Sequence, residues 1–214
     1  MQTKKPLPSF GSAYHVLAID IETSGSSFKQ NGIVSIGASL QDHNSNELDS
    51  FQINLVLPEG RSYEERCVKE FWSENKKIHN FVQQNAVAPK EAMDKFCAFL
   101  TEVETRFSDL IVISDNPSFD IAWLNFYLDE YTDRLPLNYA ENMTYRIIWD
   151  IYSMLKVLLC ERGDFESSWE LPEKLGLKSK WPADHNPLND ARTIADYFNQ
   201  IVKEMKKHSG NKET

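Results

Sequence analysis

The sequence has no run of about 18 apolar residues, the length a helix needs to cross a membrane. Residues 1–11 carry Lys4 and Lys5 with no apolar stretch behind them, so no secretory signal is read there. A soluble, intracellular, cytoplasmic protein without membrane partners is the expectation. Cysteine is scarce as well. Cys67, Cys97 and Cys160 are three in number, widely spaced, with no Cys-x-x-Cys pair. This excludes a disulfide framework and a cysteine-rich zinc site, and leaves reduced core residues as the reading. Basic residues are outnumbered, 23 Lys and Arg against 32 Asp and Glu, for a formal charge of −9. Phosphate binding is usually driven by cationic side chains, so the deficit argues against a broad nucleic-acid footprint. It does not argue against acids that hold divalent ions, which can be the largest local charges in a site and reverse the sign a phosphate meets.

What is present is enough for one globular unit: 214 residues, 41% of them hydrophobic. Residues 15–21, 32–40 and 48–57 are apolar, β-branched segments between turn-rich separators, and predict three strands in an antiparallel meander. Helical spacing follows over 64–87 (Val68, Phe71, Trp72, Ile78, Phe81, Val82) and again over 89–107 (Met93, Phe96, Leu100, Val103, Phe107). The run 110–114 reads as a buried strand, and 118–131 as the helix that leaves it. Residues 150–160 are helical by period, and 166–186 are irregular. Residues 189–205 form a last helix with Ile194, Phe198, Ile201 and Met205 inward. The expected organisation is a flexible N-terminus at 1–11, one domain over 12–205 and a flexible tail at 206–214, in an α/β fold with a mixed sheet.

Five chemical residues sit at the ends of these elements. Asp20 and Glu22 stand two apart at the end of the first strand, so the period of two places both carboxylates on one face. In isolation a solvated strand end would look the same. Asp120 follows the strand 110–114 after the turn Asp115-Asn116-Pro117, in the first turn of the next helix, where the helix dipole alone would favour an acid. His185 lies in a loop, and Asp190 follows five residues later at the start of the final helix. Acids with one histidine suit magnesium or manganese better than zinc.

In order these residues read Asp-x-Glu, Asp, His-x-x-x-x-Asp, and here the sequence resembles the DEDDh 3′-to-5′ exonucleases of the DnaQ-like, ribonuclease-H-like superfamily over about residues 14–205. The motifs stand as Asp20-Ile21-Glu22-Thr23-Ser24-Gly25, Asn116-Pro117-Ser118-Phe119-Asp120 and His185-Asn186-Pro187-Leu188-Asn189-Asp190-Ala191. The tyrosine branch of the superfamily needs tyrosine four residues before the last Asp, where this chain has Asn186. One departure is local: the residue before Asn116, often Gly or His in the family, is Asp115. The segment Cys67-Val68-Lys69-Glu70-Phe71-Trp72 resembles RNase-T-like enzymes of bacterial, phage and viral type.

The resemblance implies a three-layer ribonuclease-H-like fold, with a mixed five-stranded sheet flanked by helices. It implies two Mg2+ or Mn2+ ions on Asp20, Glu22, Asp120 and Asp190, with His185 as general base. It also implies a single-stranded or 3′-terminal DNA or RNA substrate cut to nucleoside 5′-monophosphates, and it admits a homodimer. Thr23, Ser24, Gly25 and Asn116 are expected at the terminal nucleotide, although a plain tight turn would also account for Thr23 to Gly25, and Phe28 is a candidate to stack on its base, with packing within its loop the commoner role for such a residue. Two other readings compete. An exonuclease-like module could bind nucleic acid without cutting it, since fold does not fix function. A HAD-type phosphatase also begins with a strand ending in Asp-x-acid, but that family expects Asp where Glu22 stands and has no use for the His-x-x-x-x-Asp motif.

Overall fold

The computed structural model describes residues 13–107, 110–137, 147–158 and 170–210. Strands β1 (His15–Thr23), β2 (Ile33–Asp42) and β3 (Glu47–Asn54) form the antiparallel meander. β4 (Leu110–Ser114) and β5 (Ile148–Asp150) add in parallel on the far side of β1, giving the order β3-β2-β1-β4-β5. Parallel neighbours need a crossover, and helices supply it. Between β3 and β4 come α1 (Glu65–Cys67), a π-helical turn (Val68–Trp72), α2 (Lys76–Val82) and α3 (Pro89–Arg106), and α4 (Asp120–Tyr131) leaves β4. α5 (Ile151–Leu158), α6 (Glu170–Lys174) and α7 (Pro187–Gly210) complete the chain. Among the described residues no helix is long and apolar enough to cross a membrane.

β1 is central and buried on both faces, and its alternation sorts its side chains between two cores. Leu17, Ile19 and Ile21 pack with Met93, Phe96 and Leu124 from α3 and α4. Val16 and Ala18 pack with Ile111 and Ile113 of β4 and Ile194 and Phe198 of α7. Each large aliphatic side chain buried in this way contributes about 1.5–3 kcal/mol. Asp20 and Glu22 continue the α7 face of β1, at the end where that core stops.

α7 reaches this end because its start is capped and its path is clear. The Asn186 side-chain oxygen accepts hydrogen bonds from the Leu188 and Asn189 backbone N–H groups at 3.1 and 3.3 Å, with Pro187 as first helical residue. The same oxygen accepts from Gln52 of β3 at 2.7 Å, tying the helix start to the sheet. Arg192 pairs with Glu47 through two nitrogens at 2.6 and 2.9 Å one turn further on.

Several expectations change. The helical period over 64–87 is realised in pieces: the Ser73 N–H donates to the Val68 carbonyl five residues back, and the chain bends before α2. Val68 is exposed. β5 occupies residues that carry no strand signal, and α6 forms within the stretch read as irregular. Met205 is 45% exposed rather than inward, because the last core contacts of α7 are made by Ile201 and Val202. α7 itself continues to Gly210. Cys67 and Cys97 carry free thiols and are only partly buried; Cys160, the terminus at 1–11 and the tail beyond 210 lie outside the described residues.

Candidate active site

Four acids from three elements meet at the C-terminal ends of β1 and β4. Asp20 and Glu22 come from β1, Asp120 from the first turn of α4 and Asp190 from the first turn of α7. Gly37 makes the meeting possible. It pairs with Asp20 across β1 and β2, and a Cβ there would stand 2.2 Å from the Leu188 nitrogen and the Pro187 carbonyl carbon. Only a glycine lets the α7 backbone lie this close to the sheet.

The donors fall into two groups. Glu22, His185 and Asp190 each offer one atom within 4.8 Å of the others, and so do Asp20, Asp115 and Asp120. Asp115, in the turn after β4, is the one residue of these groups that the motifs did not single out. Ser114 donates to one oxygen of Asp120, and the Asn116 N–H donates to the Ser114 hydroxyl at 3.1 Å, which fixes the turn. Asp190 is held by the Asp184 N–H at 3.2 Å and by the His185 N–H.

Burial and mutual repulsion dominate the electrostatics. The carboxyls of Asp20, Glu22 and Asp120 are pushed well above the usual range, first by burial and then by the neighbouring acids. Asp190 is raised to about 7 by burial, with Asp184 adding to it. Among the described residues no Lys or Arg pairs with any of these acids. Asp20 and Glu22, 7% and 9% exposed, accept no hydrogen bond there. Buried oxygen donors without basic partners fit a hard divalent cation, which would remove the repulsion.

His185 has the opposite problem. Burial holds its imidazole below the ordinary histidine range, opposed by Asp184, so the ring is neutral at physiological pH. Its backbone φ of 60° is left-handed, which disfavours a non-glycine residue and is the kind of strain that collects at functional sites. The ring stands edge-on to Phe71 at 4.9 Å.

Beside the acids runs a cleft of about 240 Å³ lined by Thr23, Gly25, Glu64, Phe71 and Phe119. Thr23 donates to the Gly25 carbonyl at 2.9 Å. Ser24 is fully buried, and its hydroxyl donates to the Ser62 carbonyl while accepting from the Gly32 N–H, each at 3.0 Å. Its side chain therefore builds the turn, whereas Thr23 and Gly25 face the cleft. Gly25 is packed so closely that an added Cβ would meet Asn31 and Glu64 at 2.6 Å. Phe28 packs against Trp123 and Phe126 at 4.4 and 5.4 Å, one side remaining exposed. Asn116 is exposed, its side chain accepting from Ser118 at 2.6 Å. The aromatic walls, Phe71 and Phe119, lie in segments that carry the family resemblance, but neither is among the expected substrate-binding residues. Trp181 is covered by the Arg192 guanidinium at 4.1 Å.

Residues 15–202 match the family model described as the 3′-5′ exoribonuclease Rv2179c-like domain. The chain belongs to this family of 3′-5′ exonucleases. A curated relative, the 3′-5′ DNA exonuclease Cap18 of Escherichia coli, is 24% identical over 191 residues, covering 87% of this chain and 91% of the relative. The fold is shared with the nuclease domain of 3′hExo, a DEDDh family member bound to rAMP (TM-score 0.61, 14% identity, 89% and 92% covered). It is shared also with the zinc-bound E. coli ExoI–ssDNA complex (TM-score 0.64, 15% identity, 91% and 41% covered). A third such structure is S. pombe Pop2p in its Mg2+- and Mn2+-bound form (TM-score 0.62, 16% identity, 88% and 82% covered). The ribonuclease-H-like fold expected from the motifs is thus present, and the phosphatase alternative falls with the family membership.

Proposed function

We propose that this exonuclease is metal-dependent and hydrolyses phosphodiester bonds from the 3′ end of a nucleic-acid strand, releasing nucleoside 5′-monophosphates. The observation that carries the reading is the convergence of Asp20, Glu22, Asp120 and Asp190 at the C-terminal ends of β1 and β4 beside a neutral His185. The four acids are the metal-holding residues, for two Mg2+ or Mn2+ ions. Bound there, such ions offset the charge of the scissile phosphate and of the leaving oxygen and make a water easier to ionise. His185 accepts the proton of the attacking water, a task suited to an imidazole that is unprotonated at working pH. The water oxygen bonds to phosphorus, the bond to the 3′ oxygen of the preceding nucleotide breaks, and the freed nucleotide keeps its 5′ phosphate.

Thr23 and Gly25 face the terminal nucleotide from the turn that Ser24 braces. Phe71 and Phe119 offer apolar walls to its base, with Phe28 and Asn116 at the margin. The named relatives act on different polymers: the family model is described by RNA and Cap18 by DNA, so both are substrates to test. Oligonucleotides of each kind, labelled at the 3′ or 5′ end, should release labelled mononucleotide from the 3′ label first and only with Mg2+ or Mn2+. A 3′ phosphate should slow the reaction sharply. Metal-independent release, or digestion of a covalently closed single-stranded circle at the linear rate, would overturn the proposal. Absence of any release would favour the module that binds without cutting.

A further inference from the structure

We propose that Asp115 is a fifth carboxylate of the metal centre, completing with Asp20 and Asp120 an ion position distinct from the one beside Glu22, Asp190 and His185. This rests on the metal-dependent reading above and extends it to a residue outside its motifs.

The placement follows from the sheet. β1 and β4 run parallel, with Ala18 opposite Ile113 at the last paired position. Two residues further along each strand direction stand Asp20 and Asp115, and the period of two keeps them on the face that Ala18 and Ile113 present to α7. Adjacent strands lie about 4.8 Å apart, so two acids at one level there repel each other directly. Asp120 joins them from the start of α4, and one oxygen from each of the three lies within 4.8 Å of the others. Ser114 occupies one Asp120 oxygen, and the Asp115 and Asp120 carboxyls are themselves in hydrogen-bond contact.

Neutral donors reach part of this group, since the Asn116 N–H also touches the Asp115 and Asp120 carboxyls, but they bring no positive charge and none of them reaches Asp20. Among the described residues no ion pair reaches any of the three acids. Asp20 is the sharper observation, because it is more than nine-tenths buried, points into the cluster and accepts no hydrogen bond. A buried carboxylate that accepts no hydrogen bond, with two further acid oxygens beside it, forms the kind of site that hard divalent ions occupy, and the number of charged ligands sets how tightly they are held.

The test is manganese binding to the whole chain without nucleic acid, counted by titration calorimetry and by electron paramagnetic resonance of the free ion. Asp115→Asn keeps the size of the side chain, and its amide can still donate to Asp120, so a merely positioning role would leave binding unchanged. As a ligand, Asp115 should make this variant and Asp115→Ala bind one of two ions at least about 10-fold more weakly, with unfolding midpoints in chelator equal to wild type or higher. Wild-type affinity and stoichiometry in Asp115→Asn would overturn the assignment while leaving the four-acid centre standing. Asp20→Asn is the control on that centre. A wild-type chain that binds no manganese, indistinguishable from Asp20→Asn, would overturn the metal-dependent reading and this inference with it.

Discussion

Replacing Gly37 by alanine is expected to disable the enzyme from a position that holds no chemical group. The new Cβ would stand 2.2 Å from the Leu188 nitrogen and the Pro187 carbonyl carbon and 2.5 Å from the Pro187 oxygen, where ordinary contacts begin at 3.4 Å. All three atoms are backbone, so no side chain can rotate away. The start of α7 must retreat from β2 by roughly 1 Å, against the Gln52–Asn186 and Arg192–Glu47 contacts that hold it, and overpacking of this kind costs about 1–3 kcal/mol. Asp190 and His185 move with that turn, whereas Asp20, paired with Gly37 across the strands, stays with the sheet. A displacement of about 1 Å at a reacting centre is enough to cost about 10² in rate. Single-turnover cleavage of a 3′-labelled oligonucleotide at saturating Mg2+ should therefore fall by about that factor, and manganese affinity should fall in parallel. Gly60→Ala is the comparison. Gly60 has a left-handed φ of 78° but open space around its Cβ direction, so alanine there should lower the unfolding midpoint by the equivalent of about 1 kcal/mol and leave turnover alone. Wild-type turnover in Gly37→Ala, or an equal loss in both variants, would refute the argument that α7 must approach the sheet at this point.

Asp20→Ala, Glu22→Ala, Asp120→Ala and Asp190→Ala should each abolish cleavage while unfolding midpoints in chelator stay equal or rise, since each removes an acid from a repelling group; wild-type rate in any one removes that residue from the centre. The pH dependence of the metal-free fold has a definite sign. Asp190 titrates near 7 when folded and in the usual carboxylate range when unfolded, so between about pH 4 and pH 7 the folded state holds the extra proton and loses stability as the pH rises. Asp190→Asn should gain on wild type through that window in thermal melts with chelator, and saturating Mg2+ should erase the gain; a constant difference would show that the carboxyl is not raised. His185→Ala should retain manganese binding but lose about 10² to 10⁴ of turnover, with the deficit narrowing toward alkaline pH as hydroxide replaces the base. Because burial lowers the imidazole, the wild-type acid limb should lie below the ordinary histidine range, and a limb above it would contradict that environment.

The residues that were legible in the sequence are those whose geometry depends on one element. Asp20 and Glu22 share a face because β1 alternates, and Asp120 and Asp190 sit in first helical turns because β4 is buried and short and α7 has a strong cap. Local signals of this kind survive folding, since the tertiary structure only has to agree with them. Asp115 escaped because its meaning lies in a parallel ladder: the step that sets it beside Asp20 joins segments nearly a hundred residues apart in sequence, and a turn acid between a serine and an asparagine is otherwise unremarkable. Phe71 escaped for a different reason. The 3.6-residue period over 64–87 assigned it to a helix face, but the π-helical turn shifts the register, leaving Trp72 to fill the core and Phe71 to meet His185 across the cleft. β5 was invisible because three residues cannot display an alternation, and it exists only as an edge added to β4. Gly37 is the most instructive case. In a strand it reads as a weak position, yet its missing side chain sets the distance between the sheet that carries Asp20 and Glu22 and the helix that carries Asp190, so that an apparent defect in β2 is a condition for the site.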